Sequence, residues 1–237
     1  MPIEYIILTS LICLIVVGFI YYRLKSWCVE GTRYLKMYYP LKIATLENFL
    51  NQEEIDFLIK ATEGHLQRSK VANKKGDYYY HEGRTSESCH LEKIIDRDHP
   101  IWKKIRETAG WITNYPSDNV EPPQILRYQE GQEFKNHLDT FGNTEGQNQL
   151  IASHGQRMVT IFVCLKSAEQ GGETHFPIIK KKMKPKAGDA VIWENAKMVG
   201  KVCLINKTAL HAGMKVVSGE KYGIPIWIHN KKQTSGV

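Results

Sequence analysis

His137 and Asp139 stand one residue apart in the segment EFKNHLDTF, and His211 follows 72 residues after Asp139 in TALHAGM. On an extended chain residues i and i+2 share a face, so the first imidazole and the carboxylate can converge on one point. A solvated His–Asp pair has the same spacing, so the pair alone does not make a metal site. The second histidine changes the chemistry. Two imidazoles and one carboxylate form a facial triad that leaves three positions of a metal open. That suits non-haem Fe(II) and oxygen better than a closed structural zinc site. The open positions can take a bidentate keto acid and dioxygen. Lys221 lies ten residues beyond His211, at the start of the last expected strand. An ammonium there can hold the far carboxylate of a dicarboxylate co-substrate. A lysine among 32 Lys and Arg is otherwise ordinary surface.

These residues need rigid elements to bring them together. From about residue 122 short β-rich runs succeed one another at 124–130, 157–165, 189–195, 208–214 and 222–230. Turn-forming stretches divide them, including Gly142–Asn143, Gly171–Gly172 and Ala187–Gly188–Asp189. Regular short strands of this kind build a sandwich, jelly roll or barrel. Upstream, 41–50 reads as a short strand running into a helix. Asn51 with Glu54 three residues on has the pattern of a capping box, and Ile55, Leu58 and Ile59 recur at helical spacing over 52–63. A second helix is expected over 98–112, with Ile101, Trp102, Ile105, Ala109 and Ile112 on one stripe. The polar stretch 142–156 reads as a mobile loop. His65, His81, His90, His99, His154, His175 and His229 have no comparable partners in the sequence and are expected at the surface or in packing.

The whole chain has 237 residues, 42% hydrophobic and 24% charged, which fits one ordinary globular domain with a short appendage and excludes global disorder. No repeat of 20–50 residues is visible, so a solenoid or propeller is not expected. The five cysteines, Cys13, Cys28, Cys89, Cys164 and Cys203, have no CxxC spacing, against a zinc ribbon. Free thiols and disulfides both remain open for those outside the leader. The net charge of +7 permits anionic partners. The lysines at 180–182, 184 and 186 lack interleaved aromatics, so they read as a solvated hairpin tip and no nucleic-acid partner is expected.

Residues Ile3 to Tyr22 are almost wholly apolar, with Glu4 the only charge. About 20 residues at helical rise span roughly 30 Å of hydrocarbon. No Lys or Arg precedes the run, and bulky YYRLKSW follows it, unlike a cleaved signal peptide. The expected organisation is therefore a transmembrane signal anchor at 1–22, a juxtamembrane connector at 23–40 and a catalytic domain at 41–237. Arg23, Lys25, Arg33 and Lys36 follow the span, and the positive-inside rule would keep the domain in the cytoplasm.

The ordered set Arg127–Tyr128, Gly131–Gln132, His137-x-Asp139, Gly171–Gly172–Glu173–Thr174-x-Phe176–Pro177, Gly188–Asp189–Ala190, His211–Ala212–Gly213 and Lys221 resembles the catalytic domain of the prolyl 4-hydroxylases. The resemblance covers about residues 41–230. Size and anchor are similar to the single-domain forms of algae, plants and large DNA viruses. It implies a mainly β, α+β fold: a double-stranded β-helix, or jelly roll, with supporting N-terminal helices. It implies a dioxygenase that uses Fe(II), 2-oxoglutarate and ascorbate to make 4-hydroxyproline in proline-rich or collagen-like peptides, releasing succinate and CO2. The same chemistry on peptidyl lysine or nucleic acid is the alternative. By resemblance His137, Asp139 and His211 hold iron, Lys221 pairs with the 2-oxoglutarate C5 carboxylate, and Tyr128 and Thr174 line its pocket. Arg84 and Ser86, in the Arg84–Thr85–Ser86 motif, together with Arg157 and Trp227, match substrate positions. Trp227 as a core aromatic and Arg157 as a strand-end surface residue are the competing readings. Phe134 stands where the family usually carries tyrosine, which removes a hydroxyl from the peptide's side. The family's substrates are made in the secretory pathway, so the resemblance implies a single-pass membrane protein with its domain in the endoplasmic reticulum or secretory lumen, against the flanking charges.

Overall fold

A computed structural model describes residues 35–38, 43–73, 75 and 77–233. The apolar run expected to cross a membrane lies outside them. Among the described residues no helix is long and apolar enough to do so.

Two sheets carry the architecture. The larger has eight strands in the order Leu35–Tyr38, Ile43–Leu46, Ala190–Glu194, Arg157–Lys166, Lys221–His229, Gln124–Tyr128, Glu87–His90 and Gln67–Arg68. Every pairing in it is antiparallel. The smaller has the order Lys181–Met183, Thr174–Phe176, His211–Gly213 and Phe134–His137. The first edge strand, Leu35–Tyr38, falls inside the range expected to be connector.

Alternation along the strands explains why both faces of the large sheet are covered. In Arg157–Lys166, Ile161, Val163 and Leu165 join one apolar cluster, while Phe162 joins another. In Ala190–Glu194 the split is Ala190 and Ile192 against Val191 and Trp193. The last strand is buried at all nine positions. Its Tyr222, Ile224, Ile226 and Ile228 face the first cluster, and the intervening Lys221, Pro225 and Trp227 face the pocket described below. A period of two thus lets one strand serve core and site together.

Helices cover the first face. Gln52–Ala61 begins in a true capping box: the Asn51 side chain accepts from Glu54 N at 2.8 Å, and Asn51 N donates to Glu54 Oε2 at 2.8 Å. It buries Ile55 and Leu58. Pro100–Thr113 starts with proline in its first turn, behind His99, whose Nδ1 accepts from Ile101 N. It buries Ile101, Trp102, Ile105 and Ala109, while Ile112 is only partly covered. The 142–156 stretch is not the loop expected: Glu145–His154 is helical. Its sequence shows no apolar stripe because it buries only Gly146. Cys89, Cys164 and Cys203 are free thiols.

Candidate active site

His137 ends the strand Phe134–His137 and pairs in register with His211, the first residue of His211–Gly213. Neighbouring strands therefore bring the two imidazoles together, with ring centroids 4.3 Å apart. Asp139 sits in the bend just past the strand rather than on it. Its Oδ1 is 3.6 Å from His137 Nε2 and its Oδ2 3.8 Å from His211 Nε2. The three ligand atoms all lie within 4.8 Å of one another.

Each ligand is aimed by a second contact. His137 Nδ1 lies 2.8 Å from Lys135 O, and His211 Nδ1 lies 2.9 Å from Ala209 O. A carbonyl can only accept, so these nitrogens carry the proton and each Nε2 keeps its lone pair for a metal. Asp139 Oδ2 accepts from the Thr160 hydroxyl at 2.7 Å, and that hydroxyl accepts from Asn195 Nδ2 at 2.7 Å. Phe134 stacks on His137 with centroids 3.6 Å apart and planes 19° apart. The Arg84 guanidinium lies 4.9 Å from the other ring, that of Phe134. The residue without the hydroxyl thus braces a ligand ring.

The electrostatics favour a cation at this point. Desolvation, with His211 beside it, brings the His137 imidazole down to about 3, so it is neutral at neutral pH. Burial pushes the Asp139 carboxyl up, yet the group is held below its ordinary value, with the Thr160 hydroxyl donating to it and the Arg157 guanidinium nearby. Two imidazoles that present Nε2 and one carboxylate make a donor set that Fe(II) takes, with positions to spare.

One pocket contains the triad together with Lys221, Tyr128, Thr174, Arg84 and Trp227. Lys221 is 6% exposed. Its Nζ lies 4.8 Å from the Phe162 ring centre and 5.5 Å from that of Tyr128. Among the described residues no carboxylate lies within salt-bridge distance of it. Burial lowers the ammonium to about 8, so the charge survives at neutral pH at a cost that an anion would repay. The indole N–H groups of Trp193 and Trp227, which also line the pocket, have no hydrogen-bond partner among the described residues. The pocket is thus built around groups that await a ligand.

Ser86 and Arg157 stand outside the lining of this pocket. Ser86 is completely buried. Its hydroxyl donates to Ser69 Oγ at 3.0 Å and lies 3.4 Å from Arg84 Nε, so it braces Arg84. Arg157 is not a free strand-end residue. It makes two 2.8 Å hydrogen bonds to Glu121, and its guanidinium lies 3.7 Å from the Trp227 ring centre. Trp227 is therefore a pocket wall with the Arg157 guanidinium over its ring. Glu121 is the residue the sequence did not disclose. It also meets His229 Nε2 at 2.8 Å, and despite burial Arg157 and His229 hold its carboxyl down at about 2. Its partners lie 36 and 108 residues away, so no local pattern could mark it.

A model of the 2OG-Fe(II) oxygenase superfamily matches residues 123–229, a range that contains every triad residue and Lys221. A probable prolyl 4-hydroxylase of Arabidopsis thaliana is 31% identical over 226 residues, covering 87% of this chain and 68% of the relative. A putative prolyl 4-hydroxylase of Acanthamoeba polyphaga mimivirus is 34% identical over 139 residues, covering 58% of this chain and 57% of the relative. The viral collagen prolyl hydroxylase vCPH from Paramecium Bursaria Chlorella virus-1, solved as a 2OG complex, superposes with a TM-score of 0.60 at 30% identity, over 78% of this chain and 94% of that one. With its triad, its buried lysine and its two facing sheets, this chain belongs to the prolyl 4-hydroxylase family of 2OG-Fe(II) oxygenases.

Proposed function

We propose that the chain hydroxylates C4 of peptidyl proline in proline-rich or collagen-like segments, consuming 2-oxoglutarate and O2. The observation that carries the reading is the pocket that joins a His–Asp–His triad to a buried lysine with no carboxylate partner among the described residues. Bound iron supplies the redox chemistry: the keto acid is decarboxylated to succinate and CO2, one oxygen atom entering succinate and the other the C–H bond of proline.

The chain's own residues bind and orient. Lys221 takes the C5 carboxylate, and the buried Thr174 stands beside it in the same pocket. Tyr128, Leu126 and Phe162 wall this end, where a dry lining strengthens the ion pair. His137 and His211 present Nε2 because their Nδ1 protons are committed to carbonyls. Thr160 fixes the Asp139 carboxylate. Arg84 and Trp227 line the pocket where a peptide would lie, with Ser86 in contact with the first and Arg157 over the ring of the second. Fixed orientation of this kind is what converts binding into rate.

Ascorbate is assigned as the reductant that restores Fe(II), on the strength of the family alone. Residues 1–22 are assigned as a membrane anchor because the run is long enough to span and carries one charge at its edge. The test of the activity is mass spectrometry of a panel of proline-rich peptides after incubation with Fe(II), 2-oxoglutarate and ascorbate. One added oxygen on proline, placed by fragmentation, is the expected result. Addition only to lysine, or demethylation of a nucleic acid with peptides untouched, overturns it.

A further inference from the structure

The hairpin Ala196–Val199 and Val202–Ile205 stands outside both main sheets and turns at Gly200, whose φ is +58°. Its register sets Lys197 opposite Leu204 and Val199 opposite Val202, so these four side chains share one face. Ala196, Met198, Cys203 and Ile205 share the other. That second face is turned toward the protein: Ala196 is buried, Cys203 is half-buried, and Asn230 Nδ2 lies 3.7 Å from Met198 Sδ. On the first face Val199, Val202 and Leu204 are 53%, 59% and 46% exposed. Apolar residues scattered singly on a surface need no explanation, but a contiguous apolar face marks a surface that something covers.

The root of the hairpin is held firmly. Asn206 N donates to Asn195 O at 2.8 Å, and Asn206 Nδ2 donates to Glu194 O at 2.7 Å. Asn195 Nδ2 in turn donates to the Thr160 hydroxyl that holds Asp139. The apolar face is therefore a fixed part of the domain, with a set orientation to the triad.

Charge indicates what covers it. No Asp or Glu occurs between Glu194 and Glu220, while Lys197, Lys201, Lys207 and Lys215 do. Lys197 lies on the apolar face, Lys201 at the turn and Lys207 just past the second strand, all three exposed. Lysine lays its alkyl stem along apolar surface and keeps its ammonium outside, which suits acyl chains capped by phosphate. The buried centre of a protein–protein contact is, by contrast, depleted of lysine.

The tether brings such a surface within reach. Leu35 pairs with Leu46, and Leu46 with Ala190, in the strand whose other end runs into the hairpin. Residues 23–34 join Leu35 to the run assigned as an anchor, and a chain of that length reaches at most roughly 40 Å. A domain tethered so closely meets the bilayer at high effective concentration, so a weak contact is enough to hold one face against it. We propose that Val199, Val202 and Leu204, with Lys197 and Lys201 at their margin, dock this hairpin into the headgroup layer of a membrane that carries anionic lipid. The contact is a second one beside the anchor and gives the domain a fixed orientation on the bilayer. It rests on the assignment of residues 1–22 as the anchor and adds to it the face that meets the lipid.

The test uses the full chain in vesicles of phosphatidylcholine with about a third phosphatidylserine, plus a trace of phospholipid bearing a diazirine on its acyl chain. Both leaflets have the same composition, so the result does not depend on which way the chain inserts. After photolysis, mass spectrometry of tryptic peptides reads the label in residues 202–207, which Lys201 and Lys207 delimit, and in the apolar run 3–22. Label is expected in both. Val202→Asp/Leu204→Asp should lower it in the hairpin about tenfold. Label in the run, and 2-oxoglutarate turnover in detergent, should not move in that variant. Omitting phosphatidylserine should lower the hairpin label and leave that of the run. Label in the run with none in 202–207 overturns the docking and leaves the anchor standing. Label in 202–207 with none in the run keeps the docking and removes the anchor. Label in neither overturns both. An unlabelled hairpin in a chain that sediments as a dimer, which Val202→Asp dissociates, also overturns the docking and gives the face to a second copy.

Discussion

Lys221 illustrates how a single buried charge acquires a role. An ammonium 6% exposed between Phe162 and Tyr128 costs folding energy that its own neighbours do not repay. Lys221→Ala should leave the fold intact and raise the 2-oxoglutarate KM by roughly tenfold to more than a hundredfold, since a charge-assisted contact is worth about 1.5–3 kcal/mol. An unchanged KM would move the anchor to another cation. The pH dependence follows with a definite sign. Burial brings this lysine to about 8, so the free enzyme loses the charge above that pH. A bound carboxylate favours the charged form, so binding takes up a proton in this range. The Kd for 2-oxoglutarate should be flat below pH 8 and weaken by up to about tenfold per unit above it. In Lys221→Ala this slope should vanish. At the metal end, His211→Ala removes one of three ligands near the rim of the sheets. The protein should still fold, while anaerobic titration with Fe(II) and 2-oxoglutarate should lose the charge-transfer absorption of an assembled site. Retention of that absorption would break the triad assignment.

Elements set these residues in place through close contacts that a sequence shows only in part. In the last strand, Gly223 leaves room for the Phe162 ring, whose Cζ would lie 2.2 Å from a Cβ at that position. That ring in turn flanks Lys221. Gly223→Ala should force the ring aside, destabilise the fold by about 1–3 kcal/mol and raise the 2-oxoglutarate KM. A urea midpoint and a KM measured together check this, and a loss of stability with normal KM would separate the ring from the co-substrate. The long strands were legible because burial on two faces writes continuous apolar runs, as in RMVTIFVCL and YGIPIWIHN. The capping box at Asn51 was legible because both partners lie within one turn. Phe134–His137 and Lys181–Met183 were not, since they are short, polar and partly exposed. Glu145–His154 was hidden for a similar reason: a helix that buries only glycine has no stripe to show. The triad could be found by residue type and order, whereas the Glu121–Arg157–His229 cluster, built from distant segments, needed the fold.

At the scale of the whole molecule, the site's residues and the apolar leader make opposite demands on where the enzyme works. The site suits proline-rich chains, and the family's collagen-like and cell-wall substrates are made in the secretory pathway. Arg23, Lys25, Arg33 and Lys36 follow the apolar run, and in short flanks such charges favour the cytoplasmic side. The rule is a bias set by counts on both flanks. The thiols do not decide the matter. Cys89 and Cys164 are buried, so they can remain reduced in an oxidising compartment without any partner. We therefore expect the substrate's location to prevail, with the domain in the lumen and the leader uncleaved. Translation of the full chain into sealed microsomes, followed by protease, tests both points. Protection of a 27.3 kDa product apart from its extreme N-terminus, lost on adding detergent, is the expected result. Digestion of the domain without detergent would place it in the cytosol. Its substrate would then be a cytosolic proline-rich chain, and the peptide panel would have to be redrawn from that compartment.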